Sequence, residues 1–215
     1  LKSLEKEPGV INKLDIVGVY RKAFANKELV KVICTIFLVG FSVFGTFTYS
    51  GQFITDHTGY NILTVGLILT VFGLGTVIGG RLAPRLRQKY NKKFVPAAAI
   101  LGTVSLVLLF FATTPLLLSI GLFGFGYAFI SIHSTLTTIA QGLMPQLRGT
   151  VMSLVSFGLF GGGALGTFVN GIVIQNSEIK WTYAIGAILM AIVFFMTSKV
   201  VDVSIRKEEA GAFPA

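Results

Sequence analysis

The sequence predicts an all-α integral membrane protein: a six-helix bundle made of two inverted three-helix repeats. Three observations predict it. The composition is too apolar for a water-facing surface, six long apolar stretches lack acids, and an order of polar, glycine-rich and apolar stretches occurs twice. Of 215 residues, 53% are hydrophobic and 13% charged, and the mean hydropathy is +0.78. Soluble domains carry roughly 25% charged residues because their surfaces meet water. With 19 Phe and 25 Gly among so few charges, this chain must present apolar surface to another medium. A soluble domain, a disordered chain, a coiled coil and a collagen are excluded at this step.

A helix needs about 20 apolar residues to cross a hydrocarbon layer of about 30 Å. Six stretches meet that length: 29–53, 62–82, 94–113, 116–140, 151–174 and 183–201. None has Asp or Glu in its interior, which keeps insertion favourable. The runs are continuous rather than alternating, which argues against a β-barrel. Residues 1–28 read as a cytoplasmic linker, polar rather than apolar and so unlike a signal peptide. Within it, 11–24 is loosely amphipathic through Ile11, Leu14 and Phe24 and is expected along the membrane surface. Residues 29–203 form the bundle and 204–215 a cytoplasmic tail. The single Cys34 permits no intrachain disulfide and reads as a small core residue.

Orientation follows from the basic residues. Of the 18 lysines and arginines, all but Lys180 fall on one side of the six spans. Under the positive-inside rule that side is cytoplasmic, with both termini. The net charge of +9 is therefore topological, with anionic headgroups rather than nucleic acid as its neighbours. Trp181 and Tyr183 fit an outer interfacial belt and Tyr90 an inner one.

The first span is polar, with Thr35, Ser42, Thr46, Tyr49 and Phe53 at helical spacing and Ser50 near its outer end. The second carries Gly66, Gly73, Gly75, Gly79 and Gly80, and the third is apolar. The fourth is polar again, with Tyr127, Ser131, Ser134, Thr138 and Gln141 on one stripe and His133 and Thr137 beside it. The fifth carries Gly158, Gly161, Gly162, Gly163 and Gly166, and the sixth is apolar. Small residues one turn apart let helix backbones approach closely. Three is an odd number of crossings, so the second triplet enters upside down relative to the first. Such inverted triplets with matched glycine-rich spans point to a secondary transporter. The third and sixth spans are expected to face lipid, Ser105 included.

Two segments carry a resemblance. Gly79-Gly80-Arg81-Leu82-Ala83-Pro84-Arg85-Leu86-Arg87 sits where the major facilitator superfamily places its G-x-L-A-D-R-x-G-R loop. Pro145-Gln146-Leu147-Arg148-Gly149 is similar to the P-x-x-R-G stretch before that family's penultimate helix. Pro84 stands where the signature has Asp, and Arg87 replaces its later Gly. The chain resembles the C-terminal half of such a transporter, most closely the twelve-helix drug:proton antiporter and sugar-efflux branch. The resemblance implies one half of a major facilitator fold, with a preceding six-helix half as partner and residues 1–27 as the linker. It further implies a multi-pass protein of the bacterial cell membrane. The activity it implies is secondary active transport, as proton-coupled export of amphipathic small molecules or drugs by alternating access. Protons, a small-molecule substrate and membrane lipids are then the remaining partners.

In such a fold the first, second, fourth and fifth spans face a central cavity, so their polar residues are the candidates. For substrate contact these are Thr46, Tyr49, Ser50, Tyr127, Ser131, His133 and Asn170. Each has a bland alternative, a hydrogen bond between helices. His133 is the only ionisable group well inside a span, and imidazole titrates near physiological pH. Phe157, Phe160 and Phe168 suit either an aromatic pocket or lipid. Gly80, Arg81, Arg85, Arg148 and Gly149 are the gating and loop-motif candidates. No cofactor fingerprint, metal-ligand cluster or catalytic set is present. Ser134 adjoins His133, but neighbours on a helix point about 100° apart and do not pair as nucleophile and base. An intramembrane enzyme is therefore the weaker alternative to transport, and a self-assembling half-transporter or structural membrane subunit the other.

Overall fold

The computed structural model describes the backbone of residues 16–209 and the side chains of residues 17–199. Those residues are helical almost throughout. A short helix α1 (Ile16–Ala25) precedes α2 (Lys27–Thr58), α3 (Ile62–Tyr90), α4 (Phe94–Phe111), α5 (Pro115–Leu143), α6 (Arg148–Asn176) and α7 (Trp181–Glu209). Local chemistry sets the boundaries. The Asn26 side chain accepts from the backbone N–H of Glu28 and Leu29, both at 3.2 Å, and starts α2. Gly59, at φ 66°, closes that helix in the left-handed region where a Cβ is unwelcome. Thr114 caps α5 with Pro115 at its first position. Ile11 and Leu14 of the expected surface helix, and residues 210–215 of the expected tail, lie outside the described residues.

Helix α3 runs eight residues past the end of its expected span, through Pro84. The segment read as a loop from Gly79 to Arg87 is therefore the basic last two turns of a helix. Pro84 lacks only one ladder donor, and its exposed position spares the neighbouring helices its ring. A turn of 3-10 helix, Asn91–Lys93, then leads straight into α4. Asn91, with φ 42°, is the one non-glycine residue at positive φ among the described residues. The run Ile62–Phe111 thus holds two apolar helices, and α2, α5, α6 and α7 are likewise long and apolar enough to cross a membrane.

Packing repeats the inverted order. The two most extensive pairings are α2 with α6 and α3 with α5, each parallel. Helix α4 packs antiparallel to α5 as α7 does to α2, and α4 and α7 pair with each other. Exchanging α2 with α5, α3 with α6 and α4 with α7 maps this set of contacts onto itself. The correspondence holds residue by residue. Gly40 of α2 meets the Leu159 carbonyl of α6, and Gly126 of α5 meets the Phe72 carbonyl of α3. Gly162 meets the Phe37 carbonyl and Gly166 that of Phe41. At a constant offset, Gly75 meets the Phe123 carbonyl and Gly79 that of Tyr127. In the third pair, Gly186 of α7 touches Ser42 and Leu106, as Gly102 of α4 touches Ala128 and Met190. At Gly40, Gly75, Gly126, Gly162 and Gly166 glycine is required because a Cβ would overlap a backbone atom of the partner helix.

Three expectations are corrected by this packing. Ser105 does not face lipid: it is 4% exposed, with Gly121 and Gly124 of α5 lying against it. Helix α4 instead turns Ile100, Val104, Val107 and Phe111 outward. Tyr183 is not at an interface but buried, its ring edge-on to Phe53 at 4.8 Å. Cys34 is exposed rather than in the core. Trp181 does sit at the surface, with Phe110 at 5.5 Å.

Candidate functional site: an aromatic row at mid-span

Near the middle of their helices, phenylalanines from four helices meet in a continuous row. Phe160 of α6 lies 5.8 Å from Phe44 of α2, and Phe44 lies 6.2 Å from Phe129 of α5, edge to face at 71°. Phe129 is 6.4 Å from Phe72 of α3, which stacks on Phe47 of α2 at 4.3 Å. His133 extends the row by one turn, its ring 5.7 Å from Phe129. Phe44, Phe47, Phe72, Phe129 and His133 are half-buried and Phe160 is exposed. The row therefore lines a face of the bundle rather than its core. Helices α4 and α7 pack on the other side, where α2 presents Ser42 and Thr46 and α5 presents Gly121 and Gly124.

Edge-to-face and offset stacking each add about 0.5–1.5 kcal/mol beyond burial, so the row holds its own geometry. It offers ring faces and edges, one imidazole and no carboxylate, since no Asp or Glu lies in the interior of a span. Such a surface receives an apolar or aromatic body and leaves charge recognition to other groups. Among the described residues no cluster of three metal-ligating side chains occurs.

Of the seven substrate candidates, the structure brings His133 to this row. Thr46 and Ser50 are turned away from it. The Thr46 hydroxyl donates to the Thr182 carbonyl at 3.4 Å, and Tyr183 donates to Ser50 Oγ at 3.1 Å, both across the α2–α7 seam. Ser42 makes a third bond there, to the Gly186 carbonyl at 3.0 Å. The polar stripe of the first span is in large part this seam. Tyr49 donates to the Thr167 carbonyl at 2.9 Å and joins α2 to α6. Asn170 is buried on the same seam with its Oδ1 unpaired. On α5, Ser131 Oγ is buried, and the Tyr127 hydroxyl one turn earlier approaches it without completing a well-oriented bond.

Gly80, Arg81, Arg85, Arg148 and Gly149 all lie exposed at one end of the bundle. Arg81, Arg85 and Arg148 make no ion pair among the described residues; the pairs Lys31–Glu28 and Lys180–Glu178 lie elsewhere. Reading the sequence did not single out Phe44, Phe47, Phe72 or Phe129. Their signal was the face of α2 opposite its hydroxyl stripe, where Phe44 and Phe47 stand one turn apart.

The sequence model of the Major Facilitator Superfamily matches residues 32–213. Among curated proteins, the chain is similar to an uncharacterized MFS-type transporter, YceJ, of Bacillus subtilis, with 24% identity over 165 residues. That match covers 76% of this chain and 42% of the relative. A fosmidomycin resistance protein of Escherichia coli is 26% identical over 170 residues, 74% of this chain and 41% of its own. The chain spans about two fifths of the length of these relatives.

Proposed function

The chain belongs to the Major Facilitator Superfamily, and from that premise we propose that it forms one half of a proton-coupled exporter of amphipathic small molecules. The observation that carries this reading is the mid-span aromatic row beside the only imidazole inside a span. A second six-helix half facing that row would enclose a cavity at mid-membrane, where inverted-repeat transporters hold their substrates. Phe44, Phe72, Phe129 and Phe160 then contact the apolar body of the substrate, and His133 handles a proton or a polar group. Asn170 and Ser131 lie buried behind that face with unpaired polar atoms, and Tyr127 stands half-buried beside Ser131. Arg81, Arg85 and Arg148, with the adjoining Gly80 and Gly149, form the cytoplasmic rim that opens and closes. Export rather than import is supported by the similarity to a fosmidomycin resistance protein. The orientation follows the basic residues, with both termini cytoplasmic in a bacterial plasma membrane.

The test uses the complete transporter in proteoliposomes with an imposed pH gradient and a panel of fluorescent amphipathic dyes. Phe129→Ala should raise the apparent KM by roughly tenfold, the usual loss on truncating a central aromatic contact. Phe195→Ala, on the exposed face of α7, should leave it unchanged. Dye movement indifferent to the gradient ends the proton-coupling claim, and a neutral Phe129→Ala ends the claim that the aromatic row is the binding wall.

A further inference from the structure

At the basic end of the bundle a groove of about 520 Å³ opens between α3 and α5, distinct from the aromatic row. Pro84, Arg87, Gln88 and Asn91 line one side, and Ser134 and Thr138 the other. The lining is rich in donors: a guanidinium, two amides and the three hydroxyls of Ser134, Thr135 and Thr138, with no carboxylate among them. The Ser134 hydroxyl is held to its own helix by a long 3.4 Å bond to the Ser131 carbonyl, so it turns readily toward a stronger acceptor. Around the groove the segment from Arg81 to Lys93 carries Arg81, Arg85, Arg87, Lys89, Lys92 and Lys93 and no acid. Cations at helix C-termini are ordinary partners of the helix dipole. That accounts for charge but not for a concave site in which amides and hydroxyls line the same groove as a guanidinium.

We propose that this groove binds a phosphate-bearing anion, supplied by the headgroup of an acidic phospholipid. Arg87 matches phosphate oxygens with a planar fork of N–H donors, while Gln88, Asn91 and Ser134 supply neutral donors around it. A water takes about 30 Å³ in the liquid, so the space admits a phosphate with its ester substituents. Two features favour a lipid over free phosphate. The groove opens where the basic anchors place the headgroup layer. On the next flank of the same helix end, Leu86, Tyr90, Phe94 and Ala97, with Lys93 beside them, line a largely apolar groove of about 250 Å³, suited to an acyl chain.

The test is native mass spectrometry of the full chain released from detergent, with phosphatidylglycerol, phosphatidylcholine and inorganic phosphate as separate probes. One equivalent of phosphatidylglycerol should survive in preference to phosphatidylcholine. Arg87→Gln should lower its retention by about tenfold, the loss of a charge-assisted hydrogen bond. Ser134→Ala should lower it by a smaller factor, and this small substitution keeps the test open if Arg87→Gln fails to fold. Lys27→Gln, an exposed charge at the start of α2 that lines neither groove, should leave retention unchanged. Phosphate bound in place of lipid, with the same dependence on Arg87, keeps the site and reassigns its source. Retention that ignores Arg87 and Ser134, or falls equally with Lys27→Gln, overturns the proposal in favour of a diffuse basic belt.

Discussion

Gly162 of α6 rests on the carbonyl of Phe37 in α2 so closely that a Cβ would overlap the oxygen, and Gly75 of α3 rests on Phe123 of α5 in the corresponding way. The two contacts are the same joint in opposite orientations. Backbone atoms are on the receiving side of both, so neither can yield by changing a rotamer. Gly162→Ala and Gly75→Ala should each destabilise the bundle by roughly 1–3 kcal/mol, the range for overpacking. Gly66→Ala should be neutral or stabilising, because nothing lies within 4 Å of that Cβ and alanine favours helix. Thermal unfolding in detergent, read by fluorescence-detected gel filtration, checks all three. Equal midpoints for Gly66→Ala and Gly162→Ala would remove the close-packing argument. Ser105→Leu belongs with the damaging set, since Ser105 faces Gly121 and Gly124.

The α2–α7 seam makes a different prediction. Tyr183→Phe removes the bond to Ser50 and nothing else of comparable size. Hydrogen bonds between membrane helices contribute about 0.6 kcal/mol on average and at most about 1.7. The variant should unfold slightly earlier and keep the wild-type KM in the complete transporter. A large change in KM would mean that the seam communicates with the substrate, contrary to its position behind the aromatic row.

Hydropathy made the spans legible because insertion depends on composition, and the inverted repeat was legible because glycine marks where backbones touch. The face of each polar stripe was not legible. Thr46 and Ser50 read the same whether they border a cavity or a neighbouring helix, and only the packing of α7 decides it. The aromatic row was hidden by abundance: with 19 Phe in the chain, no single one stands out until four helices bring Phe44, Phe72, Phe129 and Phe160 together. Helix ends misled for a related reason. Pro84 reads as a loop residue, yet on an exposed helix face the loss of one donor is tolerated.

Orientation is open to a direct measurement. Asp56 and Lys89 are exposed at opposite ends of the bundle. Single cysteines at these positions, on a Cys34→Ser background because Cys34 is itself exposed, should differ toward an impermeant maleimide added to intact cells. Asp56→Cys should react and Lys89→Cys should react only after the cells are opened. The reverse pattern would mean that the positive-inside assignment is inverted for this chain.

The role of His133 turns on whether its ring changes charge during the cycle. No Asp, Glu, Lys or Arg lies in the interior of the spans to compete with it. Its ring contacts Phe129, an uncharged neighbour. Imidazole can change charge by binding a proton, whereas glutamine keeps a neutral hydrogen-bonding group of similar reach that cannot titrate. Well above the titration range both side chains are neutral, so His133→Gln should transport dyes with close to wild-type kinetics there. As the pH falls through that range the wild type gains a positive charge beside the aromatic row and the variant does not. The two pH profiles should therefore diverge on the acid side and converge on the alkaline side. His133→Ala should differ from wild type at every pH, because it also removes the ring packed on Phe129. Coincident wild-type and His133→Gln profiles across the whole range would make His133 a packing residue and move the coupling proton to another group.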